Sequence, residues 1–262
     1  MNLFITTLAN IGTTCLRLFE QIGRLIVFAI TALSHIVRPP VYLNLLGRHM
    51  IDIGYFSLPV VGMTTLFAGM VLALQSYSGG VIGTLAEDTI PSLIVLAMTR
   101  ELAPVLAGLM VAGRVGASIA AELGTMRVSE QIDALHTLST NPFKYLIAPR
   151  IYAGILMLPL LVLIGDVIGI LGGYLVCVYQ LGFNSAGYLE RAIDALEWSG
   201  IISGLVKATT FGFIISLMGC YQGYFSRGGA QGVGTATTNA VVSASILILI
   251  SNYVVTVLFF GK

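Results

Sequence analysis

Between Asp52 and Glu87 the chain carries no charged residue. A run this long and apolar can satisfy its backbone away from water only as a helix or a closed barrel. Its Leu, Val, Met and Gly content shows no strict alternation, so a membrane-spanning helix over about Ile53 to Tyr77 is expected. The rest of the sequence behaves alike. Of 262 residues, 56% are hydrophobic and 10% are charged, against about 25% charged in an ordinary soluble domain. One soluble core could not hide so much apolar surface. The formal net charge of +1 gives no footprint for a nucleic-acid partner.

Four further spans are predicted, at about 90–112, 151–178, 200–221 and 240–260. The first fifty residues differ from them. Leu16, Phe19, Ile22 and Ile26 recur at helical spacing with Arg17, Glu20 and Arg24 between them, a pattern suited to the membrane interface. Pro39 and Pro40 should end that helix. The charges in the N-terminal segment and the lack of a small-residue cleavage site argue against a signal peptide. We therefore divide the chain into an interfacial segment, 1–50, and a multi-span membrane domain, 51–262.

Basic residues set the expected orientation. Arg17, Arg24, Arg38 and Arg48 precede the first span, and Arg114, Arg127, Lys144 and Arg150 separate spans two and three. Arg227 lies between spans four and five, while the other two loops are net acidic. Five spans with the N-terminus inside and the C-terminus outside put every basic segment in the cytoplasm. The expected class is an all-α integral membrane protein of about five spans, with an N-terminal amphipathic helix.

Ionisable residues inside a span cost roughly 2.5–3.5 kcal/mol each on insertion scales, which makes them functional candidates. Arg100, Glu101, Asp166 and Lys207 are the four. Neighbours on a helix point about 100° apart, so Arg100 and Glu101 cannot share one facing partner. Two readings stand: contact with a substrate headgroup or gate, or a structural ion pair such as Glu101 with Lys207.

The polar interruption from Arg114 to Arg150 contains a second amphipathic pattern. Val128, Ile132 and Leu135 stack along one face, leaving Arg127, Glu130, Gln131 and Asp133 outside it. Gly124 and Thr125 are candidate helix-start residues. Such a helix could dock a soluble partner or lie on the headgroups.

Catalytic signatures are absent. No GxxxxGK[ST], GxSxG or HExxH occurs. The run Gly228–Gly234 lacks a following Lys and a preceding strand and reads as a flexible cytoplasmic turn. Cys15, Cys177 and Cys220 are dispersed, and His35, His49 and His136 have no metal spacing. No cofactor and no metal are expected.

Three ordered motifs carry a resemblance. These are Thr99-Arg-Glu-Leu-Ala-Pro-Val-Leu106, Ala112-Gly-Arg-Val-Gly-Ala117 and Ala121-Glu-Leu-Gly-Thr-Met-Arg-Val-Ser-Glu-Gln131. With Asn141-Pro142, Ala148-Pro149-Arg150, Gly172-Gly173 and Leu258-Phe-Phe-Gly261, the chain from about residue 50 onward resembles the MlaE/YrbE permeases of MCE-type ABC transporters. Gln75-Ser-Tyr77 departs slightly from the family's more usual Gln-Gly-Tyr.

The resemblance implies a homodimeric, non-catalytic permease. Its expected partners are a cytoplasmic ABC ATPase, which would bind the ATP, and an MCE-domain substrate-binding protein on the periplasmic side. It implies phospholipid movement between inner and outer membranes, maintaining lipid asymmetry, from a multi-pass position in the bacterial inner membrane. A coupling helix at about Glu122 to Leu135, with Glu122, Gly124, Thr125, Arg127, Glu130 and Gln131, would meet the ATPase. Leu74, Tyr77, Arg100, Glu101 and Lys207 match lipid-cavity or basic positions of the family, and Leu66 and Met70 extend the Leu74 face at i, i+4 and i+8. The competing classes are an ATPase-independent channel or secondary transporter, which should show inverted repeats, and a membrane scaffold, which would not need Arg100 and Glu101 in a span.

Overall fold

The computed structural model describes residues 2–36, 42–79 and 84–261. Pro39 and Pro40, expected to stop the first helix, lie outside the described residues. Among those residues the chain is all-helical: α1 (Asn2–Ile36), α2 (Leu43–Ile53), α3 (Leu58–Ser78), α4 (84–128), α5 (Gln131–Thr137), α6 (Phe143–Gln180), α7 (Ser185–Asp194), α8 (Trp198–Tyr224) and α9 (Gly229–Phe260). Among the described residues, five helical stretches are long and apolar enough to cross a membrane: α3 with α2 ahead of it, α4, α6, α8 and α9.

Small residues let these helices touch backbone to backbone, as expected where lipid supplies no hydrophobic drive between them. A Cβ on Gly69 of α3 would run into the carbonyl of Gly169 on α6, and one on Gly172 into the carbonyl of Leu66. Gly154 of α6 and Gly212 of α8 meet in the same way. Gly219 and Gly223 bring α8 onto the backbone of α4 at Gly116 and Ala120. Thus α6 and α8 form the centre, with α3 on one flank and α4 and α9 on the other.

The amphipathic helix expected near the N-terminus belongs to the longer α1. Leu16, Phe19, Ile22 and Ile26 are exposed. Further along, Phe28 is buried among the rings of Phe143, Tyr221, Tyr224 and Phe225, and His35 stacks on Phe143. The C-terminal part of α1 is therefore docked on the ends of α6 and α8 through Phe28 and His35, while Leu16, Phe19, Ile22 and Ile26 face outward.

Two expectations about the polar segments are corrected. The helix of the second span does not end near residue 112, because α4 runs unbroken to Val128 before any polar turn. Gly124 and Thr125 do not start a helix; they lie within α4. The break comes at Ser129 and Glu130, where Glu130 adopts the left-handed conformation (φ 59°), and α5 starts at Gln131. The glycine-rich run likewise is not a flexible turn. Gly228 (φ 94°) caps α9, which is helical from Gly229 onward.

Candidate functional site

Arg100 and Glu101 sit in a π-helical turn, Met98–Leu102, within α4. Pro104 has no N–H to offer the Arg100 carbonyl four residues earlier. That carbonyl instead accepts from the Lys207 ammonium at 2.8 Å. Wider turns of this kind commonly mark functional positions in helices.

The two adjacent charges diverge, as helix geometry requires. Glu101 faces α8 and α9. Its carboxylate lies 2.7 Å from Lys207 Nζ and accepts from Asn252 Nδ2 and Thr256 Oγ1, each at 3.0 Å. Lys207 is wholly buried, so Glu101 and the Arg100 carbonyl hold its charge away from lipid. Arg100 reaches instead toward the ends of the same two helices. It pairs with Glu197 at 2.8 Å, just before α8, and its guanidinium lies 4.7 Å from the Phe260 ring centroid. Ser199 Oγ donates to the same Glu197 carboxylate.

Between α4 and the end of α9 opens a broad cleft of about 720 Å³. Leu93, Leu96, Ala97 and Phe260 give it apolar walls, Arg100, Glu101 and Thr256 give it one polar rim, and Asp88, Thr89 and Ser92 line it nearer the start of α4. An apolar trough with a few polar groups toward its ends suits an amphiphile better than a small polar solute. The guanidinium could donate to a phosphate oxygen as a charge-assisted hydrogen bond.

The structure brings together only part of the expected lipid-contact set. Arg100, Glu101 and Lys207 converge. Leu66 packs against Gly172 of α6 and Met70 against the buried cluster that holds Ile90, Ile94 and Met98, and neither lines the cleft. Leu74 is partly exposed on α3, and Tyr77 packs edge-on against Phe183. Asn252, Thr256, Phe260 and Glu197 were not anticipated as site residues. Their signal in the sequence was the i, i+4, i+8 spacing of Asn252, Thr256 and Phe260 in the last span. Asp166 is buried within α6, and its Oδ1 has no hydrogen-bond partner. It takes no part in the cleft.

At the opposite, basic end lies the expected coupling segment. Glu122 pairs at 2.9 Å with Arg150, which is almost fully buried. Arg127 pairs with Asp133 at 2.7 Å, tying α4 to α5 across the Glu130 turn. Thr125 is exposed, with its hydroxyl bonded back to the Ala121 carbonyl. Glu130 and Gln131 are exposed. Gly124 departs from the expectation: it is buried against Val233 and Ser226, so it serves α4–α9 packing and offers no outer surface. Val128 and Leu138, by contrast, expose apolar side chains here.

Comparison with known proteins agrees with this architecture. Residues 46–258 match the family model described as Permease MlaE. A probable ABC transporter permease protein of Rickettsia bellii is 59% identical over 251 residues, 96% of each chain. The intermembrane phospholipid transport system permease protein MlaE of Haemophilus influenzae is 32% identical over 262 residues, 99% of each chain. The Arabidopsis thaliana protein TRIGALACTOSYLDIACYLGLYCEROL 1, chloroplastic, is 39% identical over 204 residues, 78% of this chain and 58% of its own. The match spans α2 through α9 and includes the charged turn of α4 and the Glu122–Gln131 segment. The chain thus belongs to the MlaE permease family, as a multi-pass, non-catalytic ABC transporter permease subunit.

Proposed function

We propose that this permease moves phospholipids between the bacterial inner membrane and an MCE-protein pathway toward the outer membrane, maintaining lipid asymmetry. The observation that carries the reading is the cleft beside α4. Its apolar walls suit acyl chains, and Arg100 stands at its rim within reach of a headgroup phosphate. The Haemophilus influenzae relative, similar over nearly its whole length, is by name a phospholipid transport permease.

In this reading the N-terminus and the basic end face the cytoplasm, and the C-terminus lies outside. An ABC ATPase binds the ATP and docks on the exposed parts of the α4–α5 turn, with Thr125, Arg127, Glu130 and Gln131 at the contact. Glu122 acts there through its pair with Arg150. Two copies of the chain form the transport unit, and an MCE-domain protein receives lipid on the periplasmic side. Leu74 and Tyr77 border the lipid path from α3, with Leu66 and Met70 lining it if α3 and α6 part during the cycle. Rigid-body movement driven from the ATPase would open and close the cleft. A channel or scaffold that works without an ATPase has no specific observation in its favour.

Native mass spectrometry of the complex extracted in mild detergent tests this reading. Two copies of the chain, an ATPase and retained phospholipid are expected together. A chain that emerges alone and lipid-free, with the α4–α5 turn intact, would contradict it.

A further inference from the structure

A second polar cleft, of about 320 Å³, lies where α2 meets α4 and α6. Its lining includes Arg48, His49, Asp52, Arg114, Glu122 and Arg150. Arg114 is about 20 Å along α4 from Arg100, at the helical rise per residue, so this cleft is separate from the one already described.

Three features suit it to an anion. Arg150 is 1% exposed, yet its Nε has no acceptor, although Nη1 reaches the Leu146 carbonyl and Nη2 reaches Glu122. A buried guanidinium donor without an acceptor is costly, and an anion in the cleft would offset the positive charge it leaves at the floor. Arg114 is held in place by the Asp52 carbonyl at 3.0 Å and Ser57 Oγ at 2.7 Å. Arg48 is exposed at the mouth, with no ion pair among the described residues. Three guanidinium groups against the carboxylates of Asp52 and Glu122 leave one surplus positive charge, which one phosphodiester would neutralise.

The depth of the cleft favours a membrane source for that anion. It sits at the end of the charge-free run, where Ser57 meets Arg114 and the exposed rings of Tyr55 and Phe56 lie alongside. Exposed aromatic side chains at the end of a span mark the headgroup level of a bilayer. We propose that the Arg48–Arg114–Arg150 cleft binds an anionic phosphate group, supplied by the headgroup of a phospholipid at this end of the bundle. The site stands on its own geometry and does not depend on transport through the Arg100 cleft.

Thermal unfolding of the full chain in uncharged detergent tests it, with three separate additions: phosphatidylglycerol, diacylglycerol and inorganic phosphate. Phosphatidylglycerol should raise the Tm and diacylglycerol should not. Arg48→Glu should cut that rise by at least half. Arg24→Glu, a charge reversal on α1 away from the cleft, should leave it unchanged. The same phosphatidylglycerol effect in an Arg100→Ala background separates this site from the lipid cleft. An equal, Arg48-dependent rise with inorganic phosphate would identify a soluble phosphate as the source. A Tm rise with phosphatidylglycerol that is the same in wild type and Arg48→Glu, or no rise with either phosphate compound, would overturn the proposal.

Discussion

The buried ammonium of Lys207 lies 2.7 Å from the Glu101 carboxylate, and the two partners are unequally shielded: Lys207 is 0% exposed and Glu101 40%. That asymmetry makes a prediction. Glu101→Ala leaves the ammonium buried with only the Arg100 carbonyl as partner, and removing one partner of a buried pair costs about 3–5 kcal/mol. Lys207→Met keeps the volume and leaves a carboxylate still held by Asn252 and Thr256, so its cost should stay below about 2 kcal/mol. The double variant Glu101→Gln with Lys207→Met should recover most of the loss. Thermal melts in detergent rank the three, and equal losses for both single variants would show that burial does not govern the pair.

Helix contact through glycine makes a second prediction. Gly69→Ala would drive a methyl group into the Gly169 carbonyl, which should cost about 1–3 kcal/mol as overpacking. Gly23→Ala on α1 meets nothing within 4 Å and should stabilise the helix by about 0.5–1 kcal/mol. A melt that lowers the first variant and leaves the second at or above wild type bears this out.

The exposed apolar residues beside the α4–α5 turn predict a docking defect without a folding defect. Val128 is 44% exposed and Leu138 73%. Aspartate at either position should shift stability by no more than about 0.5 kcal/mol. If the ATPase covers them, each substitution should weaken its co-purification by about tenfold, the effect of losing one moderate interface contact. Unchanged recovery of the ATPase with both variants would place the contact elsewhere.

Much of this architecture is legible in the sequence because lipid imposes a simple rule: a long charge-free run without strict alternation folds as a helix. The same rule singles out Arg100, Glu101 and Lys207, since charges are rare where burying them is expensive. It fails where polarity is ordinary. Asn252 and Thr256 are unremarkable polar residues until the fold carries Glu101 to them across 151 and 155 positions of sequence. Glu197 reads as one acid in an acidic loop until it meets Arg100. Gly124 misleads for a related reason. A glycine in a polar stretch looks like a helix boundary, but here it admits Val233 of α9 against α4. The glycine-rich start of α9 is helical although its composition suggests a turn, because Val233 and its neighbours pack there against α4. Tertiary packing overrides local preference at these positions.

The role of Arg100 is the centre of the account. Its guanidinium is partly exposed, anchored by Glu197 and placed at the edge of a cleft with apolar walls. Loss of one charge-assisted hydrogen bond to a phosphate should cost about 1.5–3 kcal/mol, or roughly 10- to 100-fold. The direct measurement is ATP-dependent transfer of labelled phospholipid by the complex reconstituted in liposomes, comparing wild type with Arg100→Ala. We expect the variant to assemble and retain its ATPase while transfer falls at least about tenfold. Transfer at the wild-type rate by a fully assembled Arg100→Ala complex would contradict the account and leave Arg100 only its structural pair with Glu197.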